Sequence, residues 1–526
     1  MSGARSFDVL IVGSGFSGSL LAMSLDHHGL GVCVLEAGQH PRFTIGESST
    51  PAADMVLRSL ASDHGMPWLE PFSRYGSWAR AHPEVDCGLK RGFAYFHHRP
   101  AEDFVESKAS GRSLLVAAST SDHDSDTNWY RADVDHHLVE RMARTGVTYL
   151  DRTRIRQLEW TQGEIWRARL LTAGVGERSV RARYLIDLTG SPRFSEAFLG
   201  ARSSADGFRT SSSAVFSHFE GVGRWREHLQ VHGCSTADHP FDPDHGALHH
   251  LVEEGWLWML RFRSGRVSTG MVFDGAMGAK EHPVPDGGPG LHETIARYPS
   301  LRELFREARI SHVPGRIERT GRLQRRLDRG WGEGWLSLGH AAGFVDPLHS
   351  TGIAHSLVGV ERVAEVVRKG GLAALKSAAP MLDAAFAREL RLVDRLVATA
   401  YDGRSHPGLF EAAVMLYFCC SIAWETDRLS GMRPTHFLRA DDDALVEVAE
   451  EIGRKVRRWR VDGADLGRAD RIVDEVRERI EPWNPLGLLD PARQGMYHHT
   501  AVTLGAGSTL SCRLSAQNSF ENETNL

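Results

Sequence analysis

A glycine-rich turn near the N-terminus has the spacing of a phosphate-binding loop. Gly13, Gly15 and Gly18 follow an apolar strand predicted at residues 7–12 and lead into a predicted helix of small and apolar residues. Gly13 permits the tight turn, Gly15 lets backbone approach a pyrophosphate, and Gly18 lets the helix pack close to the strand. The N-terminus of that helix offers unpaired N–H groups and the positive end of its dipole to phosphates.

Glu36 ends a second predicted strand at residues 31–35. It lies about twenty residues beyond the glycines, where a carboxylate accepts hydrogen bonds from a ribose and repels a 2′-phosphate. Strand, glycine turn, helix, strand and acid in this order predict an adenine dinucleotide site. The other predicted contacts of this part are Ser14, Phe16, Ser17 and Ala37.

The late return of the chain to this fold favours FAD over NAD. Regular βαβ repeats are absent after Glu36, but strands are predicted at 184–190 and 335–339. The second of these leads through Gly339 to another turn and helix start, which suits the additional length of FAD. Arg131 either serves the flavin or its pyrophosphate, or forms a surface salt bridge at the start of a helix.

Trp256 and Trp258 are one residue apart, so on a strand they face the same way. Two large rings on one face exclude water. Such exclusion would protect a reactive oxygen intermediate. The alternative is a pair of core aromatics in a sheet.

Composition narrows the class of protein. The 526 residues carry a formal net charge of -5, which predicts no binding of nucleic acid or of an anionic membrane. No run of eighteen apolar residues occurs, and the six cysteines are scattered. These features predict a reduced, cytoplasmic protein without a membrane segment. The 27 histidines show no metal-ligand spacing, so no metal is expected.

Further segments complete a resemblance to the flavin-dependent halogenases, especially those acting on phenols and pyrroles. Residues 40–51 are similar to the flavin-contacting strap of that family, and 88–93 place Lys90 where the family keeps its catalytic lysine. Residues 254–258 match the start of the family's WxWxIP signature. Residues 343–348 and 350–352 match its flavin- and halide-binding segment.

The resemblance implies an α/β fold: a Rossmann-type FAD-binding domain of the flavin monooxygenase and halogenase kind, an interleaved substrate-side β-sheet and a C-terminal helical region. It implies a two-component enzyme that takes FADH2 from a separate NAD(P)H flavin reductase. Hypohalous acid, made from O2 and chloride or bromide at flavin C4a, would be delivered through Lys90 to a phenol or pyrrole. That substrate is either free or tethered to a carrier protein, and the enzyme is a monomer or homodimer.

The resemblance also assigns residues. Lys90 would hydrogen-bond hypohalous acid as an ammonium, or form a haloamine when neutral, and Trp256 with Trp258 would separate flavin from substrate. The expected halide-binding residues are Ser350, Thr351 and Gly352. The further expected flavin contacts are Arg42, Ile45, Gly46, Glu47, Ser48, Gly339, Asp346, Gly352 and Ile353.

Three positions depart from the family pattern. Leu260-Arg261 replaces the closing Ile-Pro of the signature. Arg261 would bind an anionic substrate or phosphopantetheine, or pair with Glu253 or Glu254. If it opened the tryptophan wall, an aromatic hydroxylase would result. His340 replaces the usual flavoprotein aspartate, and His349 stands where tryptophan halogenases have a glutamate, which argues against indole substrates. His349 is either a base that deprotonates a phenol near neutral pH or a packing histidine.

The predicted organisation has three parts. Residues 1–365 form the FAD-binding domain, with the substrate-side sheet at about 201–330. Residues 366–505 form a helical region that includes a buried segment at 416–424 and a charge-rich helix at 442–482. Residues 506–526 are expected to be a disordered tail.

Overall fold

The computed structural model describes residues 5–106, 111–161, 165–275, 290–463, 465–498 and 500. Its strands are β1 Arg5–Val12, β2 Val32–Leu35, β3 Cys87–Lys90, β4 Gly92–His97, β5 Ser113–Ala117, β6 Asp126–Trp129, β7 Thr148–Leu150, β8 Thr153–Thr161, β9 Ile165–Thr172, β10 Gly176–Asp187, β11 Ser203–Ser204, β12 Ser212–Glu220, β13 Ala247–Val252, β14 Gly255–Arg261, β15 Val267–Asp274, β16 Arg309–Ile310, β17 Glu318–Arg319, β18 Arg325–Leu327, β19 Trp331–Gly332, β20 Trp335–Ser337, β21 Gly343–Phe344 and β22 Met496–Tyr497. Its helices are α1 Phe16–His27, α2 Pro51–Asp63, α3 Tyr75–Ala81, α4 Arg131–Met142, α5 Arg193–Phe198, α6 Trp225–Val231, α7 Leu291–Ala296, α8 Pro299–Leu304, α9 Thr351–Gly403, α10 Pro407–Leu429, α11 Asp443–Val461 and α12 Leu466–Arg479.

The first sheet carries the nucleotide motif. Its core runs β20-β10-β1-β2-β7 with all neighbours parallel, and this confirms the predicted Rossmann-type arrangement. Gly13 has φ +103°, a left-handed conformation that costs glycine little. A Cβ at Gly18 would lie 2.0 Å from the carbonyl oxygen of Gly13, so α1 can approach β1 only with glycine there.

The second sheet is larger than the sequence predicted. It runs β16-β12-β15-β14-β13-β4-β5-β22, so strands from residues 92–117 and from the C-terminal region join those of 201–330. The prediction missed β4 and β5 because neither strand alternates apolar with polar residues. Strand β4 is an aromatic-rich run that ends at His97, and β5 is buried throughout. Strand β4 pairs in parallel with β13, a long-range contact that local patterns do not reveal.

The C-terminal region is helical, as predicted. Helix α9 runs from Thr351 across the expected boundary at 365 and is interrupted by non-helical backbone at Gly370 and Gly371. The prediction of one charge-rich helix at 442–482 is wrong, because the segment forms two helices. A turn that includes Gly463 at φ +106° separates α11 from α12. The domain boundaries remain predictions, and the predicted tail at 506–526 lies outside the described residues.

Helix α10 is long and apolar enough to cross a membrane, the one such helix among the described residues. Its most apolar window is 83% buried inside the fold, as in the core helix of a globular protein. Residues 416–424, predicted to be buried, lie on this helix.

Candidate functional site

A cavity of about 950 Å³ runs from the glycine turn to the second sheet. Its size falls in the range of sites that bind small molecules and cofactors. The predicted residues on its wall are Gly13, Gly15, Phe16, Ser17, Glu36, Ala37, Arg42, Ile45, Gly46, Glu47, Ser48, Arg131, Trp256, Trp258, Gly339, Ser350, Gly352 and Ile353. The wall does not include Ser14, Gly18, Lys90, Asp346, His349 or Thr351.

The Glu36 carboxylate is held by the protein's own donors. Its oxygens accept hydrogen bonds from the Gly38 N–H at 2.8 Å and from the N–H and hydroxyl of Ser14 at 3.2 and 3.1 Å. Arg42 forms an ion pair with it at 3.3 Å. Burial alone would raise the pKa of Glu36, but Arg42 and these hydrogen bonds lower it overall. Ser14 therefore orients Glu36 from behind the cavity wall.

Arg131 begins α4 and is buried, so the surface alternative for this residue is wrong. It does form a salt bridge at the helix start, with Nη2 2.8 Å from Asp135 Oδ2. Its Nη1 donates to the carbonyl oxygen of Gly46 at 3.0 Å, and its guanidinium lies 4.7 Å from the Phe16 ring centroid. Arg131 thus fastens the strap to α4 at the cavity wall.

The strap, residues 40–51, is tied to the second sheet through Glu47. Its carboxylate pairs with His218 Nε2 at 2.7 Å, and its carbonyl oxygen accepts from the Trp129 N–H at 2.6 Å. Ser48 forms an isolated bridge with Asn128, and its hydroxyl accepts from Ser350 at 3.0 Å. The strap therefore joins the start of α9 to the β3–β6 pair, in which β3 carries Lys90.

Trp256 and Trp258 lie on β14 with ring centroids 6.0 Å apart, and both reach the cavity. The Trp256 Nε1–H donates to the Tyr401 hydroxyl at 2.8 Å, and this hydroxyl donates to Asp346 at 3.0 Å. Asp346 also accepts from Ser212 at 2.6 Å, and burial raises its pKa to about 6. The predicted direct flavin contact of Asp346 is therefore not supported, because its carboxylate anchors Tyr401.

Arg261 points away from the tryptophans, since Trp256, Trp258 and Leu260 pack in one core and Leu257 and Met259 in the opposite one. Its Nε pairs with Asp244 at 2.7 Å, and its remaining nitrogens donate to the carbonyl oxygens of Val222 and Gly223. The predicted pairing of Arg261 with Glu253 or Glu254 is wrong, because both carboxylates pair with Arg297.

Ser350 precedes α9 with φ +53°, and Thr351 and Gly352 form the first turn of that helix. The first N–H groups of a helix lack intrahelical partners, so this turn can bind an anion. Ser350 and Gly352 face the cavity, whereas Thr351 does not. His340, at the position of the usual aspartate, is on the same wall, and burial lowers its pKa to about 3.

Lys90 is fully buried beyond the cavity wall. Its ammonium donates to the carbonyl oxygen of Ser49 and lies 4.0 Å from the centroid of the Phe93 ring. Asp126 lies opposite Lys90 in the β3–β6 register. Burial lowers the pKa of Lys90 to about 8, although Asp126, Asp54 and Glu425 act in the opposite direction.

The carboxyl groups near Lys90 have raised pKa values. Burial raises the pKa of Asp126 to about 6 and that of Glu425 to about 8, and Asp54 is raised as well. Ser421 donates to Glu425 at 2.8 Å from one turn earlier on α10. Sequence reasoning missed Asp54, Asp126 and Glu425, because they come from α2, β6 and α10 and share no local motif.

His349 is buried and stacks on Tyr417 with ring centroids 4.2 Å apart. Burial lowers its pKa to about 3, which favours the packing histidine over a base that titrates near neutrality, and its catalytic role stays a prediction. Its two ring nitrogens have no hydrogen-bond partner among the described residues.

Among the described residues, two groups of side chains could hold a metal ion. They are His82, Glu84 and His137, and His228, His232 and Glu303. The prediction that the histidines lack ligand spacing is wrong for the second group, because His228 and His232 lie four residues apart. Glu303 lies within ion-pairing distance of both of its histidines, at 3.2 and 2.9 Å. Neither group lies on the cavity wall.

Comparisons with known proteins agree with this geometry. Residues 229–406 match the tryptophan halogenase family, and 11–85 match the NAD(P)-binding Rossmann-like domain. The chain is 30% identical over 371 residues to the monodechloroaminopyrrolnitrin halogenase PrnC of Pseudomonas fluorescens, a match that covers 69% of this chain and 61% of the relative. These matches support a relationship of this chain to the flavin-dependent halogenases.

Other members of the family show the same extent of similarity. The tetracycline 7-halogenase of Kitasatospora aureofaciens is 27% identical over 360 residues, 67% of this chain and 62% of that relative. The matches thus span about three fifths of the length of these two relatives. The crystal structure of halogenase PltM in complex with phloroglucinol and FAD has a TM-score of 0.79 at 21% identity, over 93% of this chain and 99% of that one, and shows the shared fold.

Proposed function

We propose that the protein is a two-component flavin-dependent halogenase that acts on an electron-rich phenol or pyrrole. One observation carries the proposal: a single cavity joins a phosphate-binding glycine turn to Trp256 and Trp258, and a fully buried lysine lies beyond this wall. Ordinary hydrolytic or binding functions need neither the flavin strap nor such a lysine.

The residues present fit FAD. Gly15 has only the Arg131 and Asp135 side chains near its Cβ position, at 3.5 and 3.7 Å, so backbone is open to the pyrophosphate. Glu36 would face the ribose, and the strap residues Arg42, Ile45, Gly46, Glu47 and Ser48, with Gly339 and Ile353, would hold the remaining length. When bound and reduced, the cofactor supplies hypohalous acid from O2 and chloride or bromide.

The chain's own groups would then act in order. The N-terminus of α9 at Ser350, Thr351 and Gly352 would hold the halide by backbone N–H groups and the helix dipole. Trp256 and Trp258 would exclude water and keep the substrate from the flavin. Lys90 would receive hypohalous acid, either as an ammonium that hydrogen-bonds its oxygen or as a free amine.

The proposed partners follow from the family. They are a separate NAD(P)H flavin reductase and a small aromatic substrate, free or tethered to a carrier protein. One relative is named a 1H-pyrrole-2-carbonyl-[peptidyl-carrier protein] brominase and another the corresponding chlorinase. We propose a cytoplasmic monomer or homodimer. The hydroxylase alternative rested on Arg261, and it loses its basis because this side chain faces away from the tryptophans.

The direct test supplies the protein with FAD, a flavin reductase, NADH, O2 and bromide together with a panel of phenols and pyrroles. Mass spectrometry should show a product that contains bromine, and replacing bromide by chloride should change the product mass accordingly. Products that contain added oxygen and never halogen would contradict the proposal.

A further inference from the structure

The group formed by His228, His232 and Glu303 joins two short helices outside the cavity. His228 lies on α6, His232 directly follows the last residue of that helix, and Glu303 lies on α8. The two histidines are one helical turn apart, with ring centroids separated by 4.3 Å. The Glu303 Oε2 atom lies 3.2 Å from His228 Nδ1 and 2.9 Å from His232 Nε2. Two imidazoles and a carboxylate therefore converge on one point between the helices.

The geometry and chemistry of this group suit Zn²⁺. Its three ligand atoms lie within 4.8 Å of one another. Tetrahedral zinc with bonds of about 2.0–2.1 Å holds its ligand atoms about 3.3 Å apart, so small side-chain shifts would admit the ion. Imidazole nitrogen favours zinc over Mg²⁺ and Ca²⁺, which take oxygen ligands. Two histidines and one glutamate form a recognised zinc ligand set, with water in the fourth position.

His228 has the surroundings of a ligand. Its side chain is buried, and its ring stacks on Trp225 with centroids 5.0 Å apart and planes 12° apart, which fixes the ring orientation. Neither of its ring nitrogens forms a hydrogen bond with a described residue, so the close approach to Glu303 lacks the direction of such a bond. Buried polar atoms without partners cost free energy, and a metal ion at Nδ1 would remove part of that cost. The side chains of His232 and Glu303 are 31% and 43% exposed, so an ion can enter from solvent.

The other group, formed by His82, Glu84 and His137, is less suited to a cation. Arg141 donates its Nε–H to His137 Nε2 at 3.3 Å, which occupies that nitrogen and places a positive charge beside the group. The Glu84 side chain is 62% exposed and lies 3.4 Å from His82. We therefore assign the ion to the group between α6 and α8.

The position of this group indicates what an ion there would hold. At the N-terminal end of α6, the first N–H groups donate to Asp244 at 3.2 and 3.0 Å, and Asp244 also pairs with Arg261 of β14. At the other end of α6, the two histidines face Glu303. Leu229 of α6 and Leu301 of α8 pack in the core on the outer face of the second sheet. Helices of seven and six residues are not stable alone, so contacts such as these determine their positions.

We propose that this group binds one Zn²⁺ ion, with His228, His232 and Glu303 as its protein ligands, and that the ion joins the C-terminal end of α6 to α8. The ion stabilises the helices that cover the outer face of the second sheet. It takes no part in the reaction, because these residues do not lie on the cavity wall. The inference is independent of the proposed function.

Zinc titration of the whole FAD-loaded chain, without a histidine tag, tests the proposal. Metal is first removed with EDTA, the EDTA is dialysed away, and Zn²⁺ is titrated against a chromophoric chelator at about pH 7.5, where imidazole side chains are mainly neutral. We expect one Zn²⁺ per chain with a Kd of about 1 µM or below. At a zinc concentration of about 100 Kd, Tm should rise by about 2 °C. Mg²⁺ at the same concentration should leave Tm unchanged.

Three variants and a matched control locate the ion. His232→Asn and Glu303→Gln each remove a ligand from a partly exposed position, and each should raise Kd at least roughly 10-fold and abolish the zinc-dependent rise in Tm. Glu303→His exchanges one zinc ligand for another and should keep Kd within about 10-fold of the native value. His436→Asn is the control, because His436 pairs with Asp441 at 3.8 Å but belongs to neither group of possible ligands. It should bind zinc as the native protein does.

The outcomes decide whether zinc binds at this place. Zinc binding that is lost in His232→Asn and Glu303→Gln but kept in Glu303→His and His436→Asn supports the proposal. If the native protein takes no zinc from the chelator, or if Glu303→Gln and His436→Asn bind it equally, the proposal is wrong. Loss of zinc in a His82→Asn variant, with retention in Glu303→Gln, would assign the ion to the other group and would also overturn it.

Discussion

The ionisation of Lys90 depends on carboxyl groups that come from distant parts of the chain. Burial lowers its pKa to about 8, and Asp126 is the strongest of the groups that counteract this shift. The sequence placed Lys90 through its resemblance to a family motif, but not its surroundings. Asp54, Asp126 and Glu425 are ordinary acids in the sequence, and only packing removes them from water.

Removing the charge of Asp126 should shift the pH dependence of the reaction downward. Because the Asp126 carboxylate favours the ammonium form, Asp126→Asn should lower the pKa of Lys90 by about one unit or more. The inflection of kcat/KM expected near pH 8 in the native protein should move toward pH 7. The pH profile of halogenation measures this. Asp122→Asn is the control, because Asp122 is an exposed partner of Arg91, and an unmoved inflection in Asp126→Asn would contradict the account.

At the scale of elements, the sequence predicted the strands, turns and helices that short-range patterns determine. The order of β1, the glycine turn, α1 and β2 was correct, because strand periodicity and glycine spacing are short-range signals. Strand β14 was also predicted, and with it the common face of its two tryptophans. The hydrogen bond from Trp256 to the Tyr401 hydroxyl was not predicted, since 145 residues separate the two side chains.

The contact between α1 and β1 should be indispensable for binding FAD. A Cβ at position 18 would overlap the Gly13 carbonyl oxygen, so Gly18→Ala should push α1 from the turn and weaken FAD binding at least 10-fold. Gly359→Ala is the control: it lies within α9, its nearest neighbour is 3.9 Å from the Cβ position, and alanine there should add about 0.5–1 kcal/mol of stability. Fluorescence titration measures the FAD affinity of both variants. Equal FAD affinity in the two variants would refute this explanation.

For the whole molecule, the prediction captured the two-sheet α/β plan and the helical C-terminal region. It underestimated how far the second sheet reaches, because β4, β5 and β22 join through contacts between distant segments. The same long-range packing brings α10 against the strands of the second sheet. The site is thus shared by segments from residues 13 to 425, and no single stretch of sequence specifies it.

The central claim is that hypohalous acid forms in the cavity and is used at Lys90, and a Lys90→Met variant tests it most directly. Reduced flavin, O2, bromide and an electron-rich phenol are supplied, and both brominated product and hypobromous acid released into solution are measured, the latter with a chemical trap. Lys455→Met, which removes a half-exposed lysine paired with Glu475, is the control.

The account predicts that Lys90→Met loses brominated product at least 100-fold, on the order of a lost catalytic group, while trapped hypobromous acid rises to the level of the product lost. Lys455→Met should resemble the native protein. If Lys90→Met still brominates the substrate at the native position and rate, Lys90 has no part in the reaction and the central claim is wrong.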